Sequence, residues 1–545
     1  MCCRAKRVEA NAGSRRNGRH ERIALARHPW FSTLFRSIPL ESLIRDGVPA
    51  RQEAGGSSQM NRICPSQLIP ELLFLSLFAL LMARLLLVEP IAGLADNNDY
   101  HRVMSEVGLR YLTDDREERY YKNINRYYGI GPRRDDGYFT SESLLVWIAL
   151  RAERLLTRHR LFSLTSAGAV HAIAFLSALG LMTVSTRRWP RLPRLLLYFL
   201  LIFMFGDVGY IAYFNSLYSE PASLIFLSTT IGFALLLARG EGSSARRWAL
   251  GIGYYLAASL FVIAKPQNAL GGMPLAALGY VLAEPQDETR TGGSNPRLLA
   301  GLSLLFAAFS IWLALAGQPE HLKRANLYNA VFFDLLAHSP TPEEDMRALG
   351  IHDPQYVGLI GKPVYAPPSS IIFLPEFERG FYEKIGYGRI VTFYVQRPRR
   401  FWNLISRISQ SAYAIRPEGL GNFERGVGLF QRRTFSQWSR LREILFPRSP
   451  WLLVAVFLLS GGAAVAKFIW FDRDRRDRNL SALHVVLIVL AALQFLAAAI
   501  GEGEYEIVKH LLLFNALFDW LLAILALYGA GWISAKRASW QSGPH

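Results

Sequence analysis

Ten apolar runs, each close to the length needed to cross a bilayer, leave this chain few folds to choose from. A spanning helix needs roughly 20 predominantly apolar residues. Runs of that kind lie at about 67–92, 161–184, 195–214, 221–238, 248–264, 269–283, 298–317, 451–471, 480–500 and 508–533, the Gly-rich 269–283 being the weakest. Lipid satisfies no backbone N–H or C=O, so such segments must be helical. The expected fold class is all-α integral membrane, about ten transmembrane helices with two larger extracytoplasmic loops. Composition agrees, with 51% hydrophobic and 19% charged residues. All three cysteines (Cys2, Cys3, Cys64) precede or abut the first run, which excludes a disulfide or a thiolate metal site in the later loops.

The net charge of +18 comes from Arg clusters placed between apolar runs, where cytoplasmic membrane loops carry them, so nucleic acid is not the expected partner. Setting the N-terminus inside makes the short basic loops cytoplasmic: Arg187 to Arg194, Arg239 to Arg247, 284–297, 472–478 and Lys536 with Arg537. The loops at 96–160, 206–220, 265–268, 318–448 and 501–510 then face outward, and both termini are cytoplasmic. The domain plan is a disordered basic extension over 1–59, a transmembrane module over 60–317 whose first outer loop is 93–160, an extracytoplasmic loop domain over 318–449, and C-terminal membrane helices over 450–545. Met60 opens a short basic lead, which makes it an alternative start, and the first run reads as an uncleaved anchor. Ser141 to Arg160 has apolar residues at helical spacing opposite Arg and Glu, the pattern of a helix lying on the membrane interface.

The polar residues that invite chemistry fall on the outward face. LADNNDYHRVMSEVGL (94–109) holds Asp96, Asp99 and Arg102 directly after the first run. The two carboxylates suit a general base or oxygen ligands for a divalent cation (Mg or Mn), although Asp and Asn also simply terminate helices. GDVGYIAYFNSLYSEPAS (206–223) holds Asp207, Asn215 and Glu220. AKPQN (264–268) holds Lys265 and Gln267, as phosphate contacts or a snorkelling anchor. GEGEYEIVKHLLLFNALFDW (501–520) holds Glu502, Glu504, Glu506, Lys509 and His510, with Asn515 and Asp519 on one face of the final run, expected to meet protein rather than lipid. No phosphate-cradling GxxxxGK[ST], no GxSxG elbow and no HExxH zinc motif occurs in these loops. Carboxylates with scattered cations, on a face where an activated sugar must arrive attached to lipid, make a glycosyl-transfer type of kit.

Taken together, NNDYHRVM, YFNSLYSEPAS, YNAVFFDLLAHSPTPEEDMRALGI and EGEYEIVKHLLLFNALFD resemble the bacterial glycan-biosynthesis hexose transferases (WsfD-like). That family is similar to the polytopic GT-C glycosyltransferases, which use a polyprenyl-phosphate sugar donor. The resemblance spans roughly 92–532. It implies a first-loop acidic base, by position Asp99 with Asp96 as runner-up, and Asp207 and Glu220 shaping a donor or metal site. Where that family has Gly before the Asp, this chain has Asn98. The expectation is an inverting hexosyltransferase of the bacterial cytoplasmic membrane. Its catalytic residues are Asp99 and Asp96; Arg102, Asp207, Asn215, Glu220, Lys265, Gln267, Glu504, Lys509 and His510 bind substrate. Its partners are the lipid-linked donor, a glycan acceptor and the bilayer. A lipid-linked glycan flippase and a polysaccharide polymerase or ligase are the alternatives.

Overall fold

The computed structural model describes residues 68–541 apart from 135–136, 158–159, 241–242, 284–295, 365, 367–371, 373, 469–473 and 502. The expected N-terminal extension, most of the 284–297 loop, the start of the 472–478 loop and Glu502 lie outside the described residues.

Every one of the apolar runs forms helix. Seven described helices are long and apolar enough to cross a membrane: Ile69–Leu86, Leu164–Thr186, Glu220–Ala238, Ser244–Ala264, Arg297–Ala316, Arg475–Gly501 and Leu512–Gly531. Two bent pairs, Arg191–Phe205 with Val208–Phe214 and Gln437–Leu445 with Pro450–Ala466, raise the number to nine. The weakest run yields only the 12-residue helix Gly272–Ala283, about 18 Å long, entered through a 3-10 turn at Pro266–Gly271. Glu220–Ala238 is the axis of the bundle. It packs against Leu164–Thr186 and Ser244–Ala264, and 78% of it is buried, against 22% of Arg297–Ala316 at the lipid-facing rim.

Two departures from the sequence reading matter for the site. The first span ends at Leu86, short of Ala92. Residues beyond it leave the helix, yet Ile91, Ala92, Leu94 and Ala95 are buried, so their apolar character serves protein packing rather than lipid. The third span bends by 59° after Phe205. There Asp207 caps a new turn, accepting from the Gly209 N–H at 2.7 Å.

Above the bundle lies a layer built from both large loops. The first contributes a three-stranded antiparallel sheet in the order β1 (Leu109–Arg110), β2 (Tyr127–Ile130), β3 (Leu161–Ser163). Ser141–Leu156 is amphipathic as expected, with Leu155 and Leu156 exposed. Its acids, however, turn inward: Glu142 meets His171 at 2.9 Å and accepts from the Ala222 N–H, and Glu153 accepts from the Ser163 N–H. The second loop runs through Glu320–Tyr328 into a π-helical turn, Asn329–Leu335, then through Pro342–Leu349, Tyr387–Gln396 and Pro398–Ser411. It is locked to the bundle by Arg442, fully buried, which donates to Asp519 at 2.7 Å and to Asn515 at 2.6 Å. Tyr210 Oη and Trp438 Nε1 also donate to Asp519. Asn515 and Asp519 therefore face protein, as their spacing predicted.

Candidate functional site

The segment carrying Asp96 and Asp99 is held rigidly before any charge is considered. Ala92 N–H donates to Leu85 O, Gly93 N–H to Asn422 O, Leu94 N–H to Asn215 O and Ala95 N–H to Gly421 O. Asn215, wholly buried, donates through Nδ2 to Leu86 O and Ala92 O, each at 2.9 Å. A side chain at Gly93 would meet Asn215 O at 2.6 Å, so the strand-like segment can approach this closely only as glycine. Asn215 is thus a staple for the site-bearing segment, with no contact to the charged cluster described below.

Asp96 turns inward. Its Oδ1 accepts from the Asn98 and Tyr100 N–H groups at 2.8 and 3.0 Å, and its Oδ2 from Tyr111 Oη. Burial pushes its carboxyl up to about 7, against the opposing hydrogen bonds from Tyr111 and Tyr100. Asn98 adopts φ 84°, which swings the chain so that Asp99, two residues before the helix His101–Val107, faces the other way. Its side chain is 21% exposed and touches two cations, Arg102 at 2.7 Å and Lys509. Burial alone raises an acid, but Arg102 and then Lys509 outweigh it and hold the Asp99 carboxyl well below the usual carboxylate range. Asp96 and Asp99 thus take different partners: backbone N–H groups and Tyr111 for the first, the cations Arg102 and Lys509 for the second.

Lys509 is the hub. Only 2% exposed, it donates to Asp99 and, at 2.9 Å, to Glu506, and it lies 5.1 Å from the centre of the Tyr218 ring. Burial disfavours its charge, yet Asp99 and Glu506 hold its ammonium well above the ordinary lysine value. Glu506, in the left-handed region at φ 49°, also accepts from Asn97 Nδ2. Tyr218 Oη donates to Ala95 O at 2.7 Å and accepts from the Asn97 N–H at 2.9 Å.

The next residue, His510, opens a second group. Lys265 Nζ donates to Glu220 at 2.9 Å and to His510 Nδ1 at 3.0 Å. An imidazole nitrogen accepting from an ammonium carries its proton on the other nitrogen. Gln267 bridges Gln494 (2.7 Å) and His510 O. A small cavity of about 10 Å³, room for roughly one water, lies among Glu220, Lys265, Gln267, Lys509 and His510. Helix ends supply all of these groups. Glu220 opens its helix with Pro at the first turn; Lys265 caps the end of Ser244–Ala264, stopped by Pro266; Lys509 and His510 precede the final helix.

The structure therefore gathers Asp99, Arg102, Glu220, Lys265, Gln267, Lys509 and His510 into one ionic assembly. Asp96 and Asn215 brace it. Asp207 is engaged elsewhere, accepting from the Ser439 N–H and Oγ as well as Gly209. Glu504 belongs to a neighbouring group with Asp334, His338 and Arg407. Arg407 donates to Asp334 at 2.6 Å and to Glu504 at 2.8 Å. Asp334, His338 and Glu504 offer ligand atoms within 4.8 Å of one another, a spacing a divalent ion accepts, while the Arg407 guanidinium already balances the two carboxylates. Glu506, Asn97, Tyr218 and, from the neighbouring group, Asp334, His338 and Arg407 were not among the residues the sequence singled out for binding. Asn97 sat visibly within the Asp-Asn-Asn-Asp run, whereas Arg407 is one of many arginines on an amphipathic helix and carried no signal.

Residues 57–542 match the family described as the YfdI N-terminal transmembrane domain, nearly the whole chain. The chain belongs to that family. As a YfdI-family protein it is a multi-pass membrane protein, in agreement with its helices. No curated protein matches its sequence. Among solved structures, the YfdI-family chain is similar to the archaeal oligosaccharyltransferase AglB from Archaeoglobus fulgidus in complex with an inhibitory peptide and a dolichol-phosphate. That match has 16% identity and a TM-score of 0.36 over 84% of this chain and 50% of that one. It is also similar to ArnT from Cupriavidus metallidurans bound to undecaprenyl phosphate, with 14% identity and a TM-score of 0.29 over 86% of this chain and 78% of that one. The chain spans half the length of the oligosaccharyltransferase it matches.

Proposed function

We propose that this YfdI-family protein is a membrane glycosyltransferase that moves a hexose from a polyprenyl-phosphate donor to a cell-surface glycan on the extracytoplasmic face of a bacterial cytoplasmic membrane, as the resemblance of its motifs to WsfD-like, GT-C-type transferases implies. The observation that carries the reading is the placement of a water-accessible carboxylate, Asp99, between two cations, with Lys265 and His510 one step further along the same helix ends. The phosphate of the donor lies at the headgroup level, where these helix ends put the cations. Lys509, Arg102 and Lys265 then hold the phosphate. As Lys509 turns to it, Asp99 loses a partner, its basicity rises, and it removes the proton of the acceptor hydroxyl. The hydroxyl oxygen attacks the anomeric carbon opposite the phosphate, the C–O bond to phosphate breaks with its electron pair on the phosphate oxygen, and configuration inverts.

A flippase for lipid-linked glycan is the competing reading. Such proteins concentrate ionisable groups near the bilayer midplane, whereas here the assembly sits at one end of its helices. Purified protein in liposomes, given a panel of polyprenyl-phosphate hexoses carrying labelled sugar, tests the reading. Label passing to an acceptor glycan with release of polyprenyl phosphate supports transfer. Lipid-linked glycan changing sides with no donor consumed overturns it.

A further inference from the structure

A cavity of about 150 Å³ lies at the end of the bundle opposite Asp99. Ile231 and Leu235 line it 11 and 15 residues along the helix that Glu220 opens, roughly 16–22 Å from that residue. Its walls are apolar, with Leu197, Leu487 and Trp520 among them, but one side is not: Lys467, Arg476 and His484 line the same space. Lys467 is 7% and His484 2% exposed. His484 Nδ1 pairs with Tyr528 Oη at 3.2 Å, while its Nε2 is buried with no hydrogen-bond partner among the described residues; Arg476 Nε is in the same condition. A buried polar atom without a partner is destabilising, and a purely apolar chain in the cavity would leave both unsatisfied.

We infer that this cavity is a binding site for an anionic phospholipid in the leaflet opposite the Asp99 assembly, its hydrocarbon in the Leu and Trp walls and its phosphate region at Lys467, Arg476 and His484. Charge complementarity selects the occupant. A zwitterionic lipid brings its own cation against Lys467 and Arg476, and free phosphate has no use for the apolar walls. The same end of the bundle carries Arg187, Arg188 and Arg191, next to the cavity-lining Trp189 and Pro190, and basic residues clustered at a membrane surface attract anionic lipid.

Full-length protein is reconstituted with phosphatidylglycerol, phosphatidylcholine or undecaprenyl phosphate, extracted in mild detergent and weighed by native mass spectrometry, with the thermal midpoint followed in parallel. One phosphatidylglycerol is expected to stay bound per chain and to raise the midpoint, with phosphatidylcholine and inorganic phosphate doing neither. R476Q and Lys467→Met should each weaken retention tenfold or more, and Ile231→Trp, which fills the cavity without touching a charge, should abolish it. Asp99→Asn should leave it unchanged. Equal retention of the two phospholipids, preference for undecaprenyl phosphate, or full retention by R476Q and Ile231→Trp would overturn the assignment. Those two variants keep the test open if Lys467→Met does not fold.

Discussion

Lys509→Met is the substitution whose consequences follow most directly from the site. It keeps the aliphatic bulk over Tyr218 but leaves Asp99 and Glu506 facing each other without the ammonium between them. Removing one partner of a fully buried pair costs about 3–5 kcal/mol. Here Asp99 and Glu506 are 21% and 27% exposed and Arg102 stays on Asp99, so about 2–3 kcal/mol is expected, a fall of several degrees in thermal midpoint. The pH dependence has a defined sign. In the native protein Asp99 is held below its ordinary value, so its stabilising contribution is present above about pH 4 and is lost as pH falls toward its folded value. Without Lys509 that folded value rises. The variant's deficit is therefore largest near pH 7–8 and shrinks in acid as Asp99 takes up a proton. Adding Asp99→Asn to Lys509→Met removes one of the facing charges and restores at least half of the loss. The assay is thermal unfolding in detergent of wild type, both single variants and the double variant between pH 3 and 8. Additive effects, with coupling under about 0.5 kcal/mol, or a deficit that does not vary with pH, would refute the reasoning.

Asp96→Asn should act oppositely. The native carboxyl, raised from 3.8 to about 7, holds its proton longer in the folded protein than in the unfolded one. It therefore costs stability progressively as pH rises from about 4 to 7, by up to about 4 kcal/mol. Asparagine keeps the acceptor for the Asn98 and Tyr100 N–H groups, so the variant's stability relative to wild type should be higher at pH 8 than at pH 4, while transfer persists; an unchanged pH slope would count against a buried, protonatable Asp96. Gly503→Ala places a methyl 2.3 Å from Asp334 Cβ at φ +66° and should lower the thermal midpoint by the equivalent of about 1–3 kcal/mol. Gly388→Ala, with nothing within 4 Å in the helix Tyr387–Gln396, should be neutral or stabilising; equal effects at the two glycines would show that the Asp334 contact is not tight.

Much of the membrane fold was legible because its code is local. The runs at 161–184 and 221–238 became Leu164–Thr186 and Glu220–Ala238, since twenty apolar residues have one solution in lipid. Reading failed where apolar residues are buried by protein instead, as in Ile91 to Ala95, and where a single capping residue redirects the chain, as at Asp207. In the site, Asp99 and Arg102 were visible as neighbours one turn apart. Their meeting with Lys509, 410 residues away from Asp99 in sequence, was not, because it depends on how the final helix packs. Asp207 and Asn215 looked as chemical as Glu220 in the sequence. A capping carboxylate and a stapling amide look in sequence like a residue of the ionic assembly, and only their partners tell them apart.

The most direct measurement is the rate of sugar transfer from a labelled polyprenyl-phosphate hexose by reconstituted wild type, Asp99→Asn and Asp96→Asn, each matched for folding by thermal midpoint. Loss of transfer by 100-fold or more in Asp99→Asn, with Asp96→Asn retaining it, is the result expected of a general base at Asp99. Undiminished transfer by well-folded Asp99→Asn would contradict the account.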